Sequence, residues 1–164
     1  MKKVLKYSGI ISLILAAIAF ILMMATNAVI QGSGSVQVVT AGTTAIFGKS
    51  GTLVDMKPSV LALLGWILIL VGLIIVLLGV ILPLLKVTAL EKFAGILNLA
   101  AVICFVLGGI FMFLVVPTFY GANDMDVPNN ASIGAGWVIG GILAIAGGVF
   151  AILPAAMDFI GKKK

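Results

Sequence analysis

Long uninterrupted apolar runs, rather than any amphipathic period, organise this chain of 164 residues. Crossing the hydrocarbon core of a bilayer takes about 20 mostly apolar residues. Four stretches meet that length: 8–30, 60–85, 93–116 and 133–156, and none contains Asp, Glu, Lys or Arg. Each backbone polar group in lipid must be satisfied within its own segment, so helices are expected. Membrane β-strands would alternate polar and apolar positions, and these runs do not. The predicted fold is therefore all-α: one four-span membrane domain over 1–164, folded as a four-helix bundle. The first run follows Met1-Lys2-Lys3, but its apolar part is longer than the ~7–15 residues of a signal core. Thr26-Asn27-Ala28 is a poor cleavage site, so the run is read as a retained span.

Between the runs the pattern changes. Residues 31–58 form the longest non-spanning segment, where Gly32 and Gly34 are expected to end the first helix. Ser35–Thr40 is β-branched and partly alternating, Ala41-Gly42 offers a turn, and Thr43–Phe47 follows; this predicts a short β-hairpin. Ile46 and Phe47 are expected to dip toward the membrane interface. The second intervening segment, 117–131, carries Asp124 and Asp126 and reads as a solvated acidic loop. Two aspartates fall far short of the 6–8 oxygens that calcium takes. Asn130-Ala131-Ser132 matches a glycosylation acceptor, which matters only in a eukaryotic secretory pathway. Gly48-Lys49-Ser50 lacks the glycine five residues upstream that a phosphate-binding loop needs, since Thr43 stands there.

The chain also repeats itself. Lys6-Tyr7-Ser8-Gly9-Ile10 opens the first span and Lys92-Phe93-Ala94-Gly95-Ile96 the third. Gly65-Trp66 to Pro83 in the second span matches Gly136-Trp137 to Pro154 in the fourth. Two tandem helical hairpins, 6–86 and 92–162, are expected, related by a pseudo-two-fold axis along the membrane normal. Gly65, Gly72 and Gly79 recur every second turn of the second span, and Gly134, Gly141 and Gly148 of the fourth. Such faces let helix backbones approach closely. They are read as helix-packing positions within the bundle. Pro83 and Pro154 are expected to end or kink their helices. Ser12 and Asn98 occupy equivalent repeat positions and are expected to hydrogen-bond to each other. Trp66 and Trp137 are expected as interface anchors.

Composition sharpens the class. Hydrophobic residues make up 63% and charged residues 9% of the chain, against about 45–50% and 25% in soluble domains. Lipid is therefore the solvent for most side chains. The net charge of +5 comes from lysines at the ends of apolar runs, which suits an anionic leaflet rather than nucleic acid. Lys2, Lys3, Lys6, Lys86, Lys92, Lys162, Lys163 and Lys164 share one side, and only Lys49 and Lys57 the other, eight against two. By the positive-inside rule both termini and a tight turn at 86–92 are cytoplasmic. The expected location is the plasma membrane. Ten lysines without an arginine suggest a bacterial source.

The chemistry is sparse. Histidine is absent, which removes the commonest metal ligand and general base. Cys104 is the lone cysteine and lies in an apolar run, where a thiol is a poor thiolate. No ionisable residue lies mid-membrane, where coupled transporters place theirs, and Asp158 follows the fourth span. No catalytic, cofactor-binding or metal-binding residues are assigned, and no enzyme is expected. The expected function is association, as a self-assembling scaffold or an accessory subunit, with the bilayer and a homo-oligomeric or membrane-protein partner. The alternative is an oligomeric pore lined by Ser12, Thr26, Asn27 and Asn98; a small-solute transporter is third. The four-span layout with a longer, strand-bearing first outward loop resembles tetraspan proteins such as claudins. That loop has neither the tryptophan motif nor the cysteine pair of claudins, so the resemblance transfers no functional residue.

Overall fold

A computed structural model describes residues 2–33, 36–51, 55–81 and 94–161. In chain order they form α1 (Lys2–Ala25), β1 (Asn27–Ser33), β2 (Val36–Ala41), α2 (Gly42–Phe47), α3 (Val60–Ile81), α4 (Ala94–Phe113), α5 (Val115–Ala122), β3 (Ala131–Ile133) and α6 (Ala135–Gly161). The four long helices α1, α3, α4 and α6 are each long and apolar enough to cross a bilayer, and the chain is a multi-pass membrane protein. They close a ring in the order α1-α3-α4-α6, in which α1 and α3 share the slimmest seam.

Neighbours in the ring run antiparallel. Gly65 lies against Phe111 and Gly108, Gly72 against Phe105, and Gly79 beside Asn98 as α3 descends along α4. On the other side Gly109 meets Gly141 and Gly148 meets Val106. Along α1, Ser12 Oγ donates to the Gly147 carbonyl at 2.7 Å, and Ser8 Oγ donates to the Phe150 carbonyl.

The helices are dressed inside out. On α1 the buried face reads Ser8, Ser12, Ala16, Ala19 and Met23, while Ile11, Ile14, Ile18 and Ile21 point outward. The inner face of α6 holds Trp137, Gly140, Gly141, Ala144, Gly147, Gly148 and Ala151, with Ile139, Ile142 and Val149 outside. Lipid is as apolar as leucine, so burying large side chains gains little, whereas small residues bring backbones into contact. Serine hydroxyls then bond carbonyls of the facing helix.

At one end of the bundle a three-stranded antiparallel sheet forms, in the order β2-β1-β3. Residues 29–33 pair with 36–40 in regular register, with an irregularity between Asn27 and Val29. Val29, Ile30 and Gln31 pair with Ile133, Ser132 and Ala131. The sheet therefore joins the two intervening segments by main-chain bonds.

Several expectations are corrected. The first span stops at Ala25, and residues 27–30 are strand; Thr26 and Asn27 end the helix, not Gly32. The hairpin exists but sits earlier, with β2 ending at Ala41 and Thr43–Phe47 helical in α2. The segment 117–131 is no plain loop: it contains most of α5 and the start of β3. The third span breaks at Leu114, whose φ −93, ψ 7 leaves the helix, and α5 restarts at Val115. Pro117 lacks the N–H that would have bonded back across this break. Ile133 belongs to β3, and α6 runs on through Pro154 to Gly161 rather than ending there. Pro83, the end of the second span at 82–85 and the turn at 86–92 lie outside the described residues.

A Cβ on Gly72 would stand 2.6 Å from Cε1 of Phe105, with Cys104 Cβ at 3.2 Å. Phe105 is fully buried and cannot yield. Gly72→Leu should therefore destabilise the bundle by about 1–3 kcal/mol in denaturant titration from mild detergent. Gly121→Ala, where a Cβ meets nothing within 4 Å, should not.

Candidate functional site

The sheet end of the bundle concentrates the polar chemistry, and it begins where α1 stops. A helix leaves its last carbonyls without partners within the helix, and in apolar surroundings each such group costs free energy. Here each is taken. Leu22 O accepts from Thr26 N at 3.1 Å and from Thr26 Oγ1 at 2.6 Å. Met23 O accepts from Trp137 Nε1 at 3.1 Å. Thr26 O accepts from Gly42 N at 2.8 Å, and Ala28 O from Gly134 N at 3.0 Å. The fit is tight enough that a Cβ on Gly42 would collide with the Met23 carbonyl, and one on Gly134 with the Asn27 carbonyl.

The two tryptophans, alike in sequence setting, end differently. Trp137 is fully buried and serves as a donor inside the bundle, which corrects its reading as an interface anchor. Trp66 is half-buried; its Nε1 is buried with no hydrogen-bond partner. Phe47 stands T-shaped to its ring with centroids 5.2 Å apart, and Phe20 lies at 5.8 Å. Phe47 thus covers Trp66, while Ile46 turns into the core instead of toward an interface.

Three braces tie the first intervening segment to the second. Ser59 caps α3, its Oγ accepting from Ala62 N at 3.3 Å, as Ser does at a helix start. The same Oγ lies 2.7 Å from Thr118 Oγ1. Thr118 donates to Leu114 O at 2.7 Å, so Ser59 is the donor of the pair. Second, Lys57 N donates to Asn123 Oδ1 at 2.7 Å, and Asn123 Nδ2 returns a bond to Lys57 O at 3.1 Å. Lys57 Nζ pairs with Asp124 Oδ2 at 2.9 Å, an exposed pair of the kind that adds little stability. Asp124 adopts φ 55, which aspartate tolerates better than most residues. Third, Tyr120 OH donates to Gln31 Oε1 at 3.0 Å. Burial pushes the Tyr120 phenol pKa above its ordinary value, so it remains a donor at neutral pH.

The remaining expected site residues fall as follows. Gly65, Gly72, Gly141 and Gly148 all meet α4, Gly79 sits beside Asn98, and Gly134 packs on the turn out of α1. Ser12 bonds Gly147 on α6 rather than Asn98; the ring order puts α1 and α4 on a diagonal. Thr26 spends its hydroxyl on Leu22, and Asn27 is exposed. Gln31, Ser59, Thr118, Tyr120 and Asn123 carry the braces and have no local sequence signal, apart from the capping preference of Ser59. Among the described residues no group of three or more His, Cys, Asp or Glu could hold a metal ion.

The surface of this end is free of charge over a long stretch. No charged residue occurs from Thr26 to Gly48, and Gln37, Val38 and Val39 are all exposed on β2. Comparison with protein-family models finds no match, and comparison with curated proteins finds no relative.

Trp137→Phe keeps an aromatic ring and removes the N–H that bonds Met23 O. It should cost about 1–2 kcal/mol in stability. Trp66→Phe removes an N–H that bonds nothing and should cost distinctly less. Parallel detergent unfolding of the two variants checks the order.

Proposed function

We propose that this protein acts by association, as a self-assembling scaffold or an accessory subunit in the plasma membrane, and not as an enzyme. The observation that carries the reading is the braced sheet at one end of the bundle. Four spans hold it, three side-chain braces stiffen it, and it offers an uncharged surface with exposed valines. Monomeric soluble proteins rarely leave apolar side chains clustered without a partner. The bundle interior offers the opposite: its serines and Trp137 are already engaged with main-chain carbonyls. A structure stiff at its surface, with Ser8, Ser12 and Trp137 already engaged inside, suits contact better than passage or catalysis.

The lysine distribution supports placing both termini in the cytoplasm and the sheet on the outer face. The antiparallel ring, with two hairpins entering the membrane in the same sense, is compatible with an origin by tandem duplication. The composition supports a bacterial source.

Native mass spectrometry from mild detergent or nanodiscs tests the reading. The expected result is a defined oligomer or a fixed complex with a second membrane protein. A strict monomer that copurifies with no partner would overturn it. Conductance of ions or small solutes in liposomes would replace it with the pore.

A further inference from the structure

We infer that β2 is a self-pairing edge, and that two copies of this chain join by antiparallel β2·β2 hydrogen bonding into one six-stranded sheet. The inference rests on the association reading above and names its partner and contact.

The argument starts from backbone chemistry. An edge strand presents a row of unpaired N–H and C=O groups, and proteins ordinarily guard such edges. The usual guards are a very short strand, charges, proline, a bulge or a covering element. The sheet has two edges, and they differ. β3 is three residues long, so shortness guards it. β2 is six residues, Val36-Gln37-Val38-Val39-Thr40-Ala41, with neither charge nor proline. Its pairing with β1 is regular across 36–40, and the irregularity falls at Asn27/Val29 beyond that stretch. Side chains on both faces are open: Val38 is 62% and Val39 50% exposed. The edge is therefore regular, free of charge and proline, and among the described residues its side chains at 37–39 are open.

Its sequence selects the occupant. With no charge between Thr26 and Gly48, nothing repels an identical strand, and nothing attracts an oppositely charged one. A two-fold axis perpendicular to the sheet makes the pairing isologous and closed, so it ends at a dimer. Residues opposite one another then share a face. Centred on Val38, the pairing sets Val38 against Val38 and Gln37 against Val39. Centred on Val39, it sets Val39 against Val39 and Val38 against Thr40. Either register places β-branched residues opposite each other, the pairs that stabilise sheets.

Disulfide trapping in proteoliposomes tests this. Cys104→Ala removes the native thiol and keeps the Cβ that packs near Gly72. On that background single cysteines are placed by Val38→Cys and Val39→Cys, with Phe47→Cys and Asp126→Cys as exposed controls away from the edge. A symmetric centre brings equivalent Cα atoms to about 4.5–5.5 Å, within disulfide range. The expected result is a homodimer band several-fold stronger at Val38 or Val39 than at either control. Val38→Lys with Val39→Lys, read by crosslinking of the intact full-length protein with an amine-independent photoreactive probe, should abolish that dimer while helical circular dichroism is unchanged. Equal trapping at all four positions, or none at β2, overturns the inference. So does a β2 cysteine captured by a chain of different mass. If native mass spectrometry still gives an oligomer while the β2 cysteines stay untrapped, this contact falls and the association reading stands.

Discussion

Everything at the sheet end depends on how α1 is allowed to stop. A helix ending in water hands its last carbonyls to solvent; one ending inside an apolar bundle must find donors in the protein. Here Thr26 folds its hydroxyl back onto Leu22, Gly42 brings an amide to Thr26, and Trp137 reaches across from α6 to Met23. These bonds fix three things together. They set the point where helix becomes strand, the position of α2 against the bundle, and the height of α6 relative to α1. The glycines at 42 and 134 follow from the same constraint, because any side chain there would strike those carbonyls.

Below that junction the physics is that of helices in a solvent with no hydrophobic drive. Many buried positions are small or weakly polar, with Phe105, Ile69 and Val76 as the larger exceptions, and many of the large aliphatic residues are exposed. Close glycine contacts along α3·α4 and α4·α6 gain dispersion energy at short range, while Ser8 and Ser12 stitch α1 to α6 through carbonyls. The larger buried side chains, such as Trp137, Met112, Phe119 and Tyr120, gather toward the sheet. Stability is thus divided between a glycine-packed body and a conventional core under the sheet.

This division explains what was legible in the sequence. Lipid demands long uncharged runs, so the four spans were plain from hydropathy. Their ends were not. Ala28-Val29-Ile30 extends the first apolar run without a break, and only the polar pair Thr26-Asn27 marks the change to strand. Thr43 and Thr44 favour extended backbone locally, yet Gly42 bonded to Thr26 and the burial of Ala45 and Ile46 impose a helix. Tryptophan near a span terminus statistically suggests an interface, but a carbonyl in need of a donor drew Trp137 inside. The glycine face was readable because every second turn returns to one side of a helix. Ser12 meets Gly147 rather than Asn98 because matched positions in two sequence stretches imply similarity of setting, not adjacency. The braces through Gln31, Ser59 and Asn123 link residues far apart in sequence, and no local pattern encodes such a meeting.

The pairing of β1 with β3 has a topological consequence. Helix α3 ends and α4 begins at the end of the bundle away from the sheet, while β1·β3 and the side-chain braces join the two intervening segments at the sheet end. The α1–α3 and α4–α6 pairs are thus joined through the sheet as well as along the α1·α6 and α3·α4 seams. Tilting one pair against the other would have to break the β1·β3 bonds and part both helix seams together.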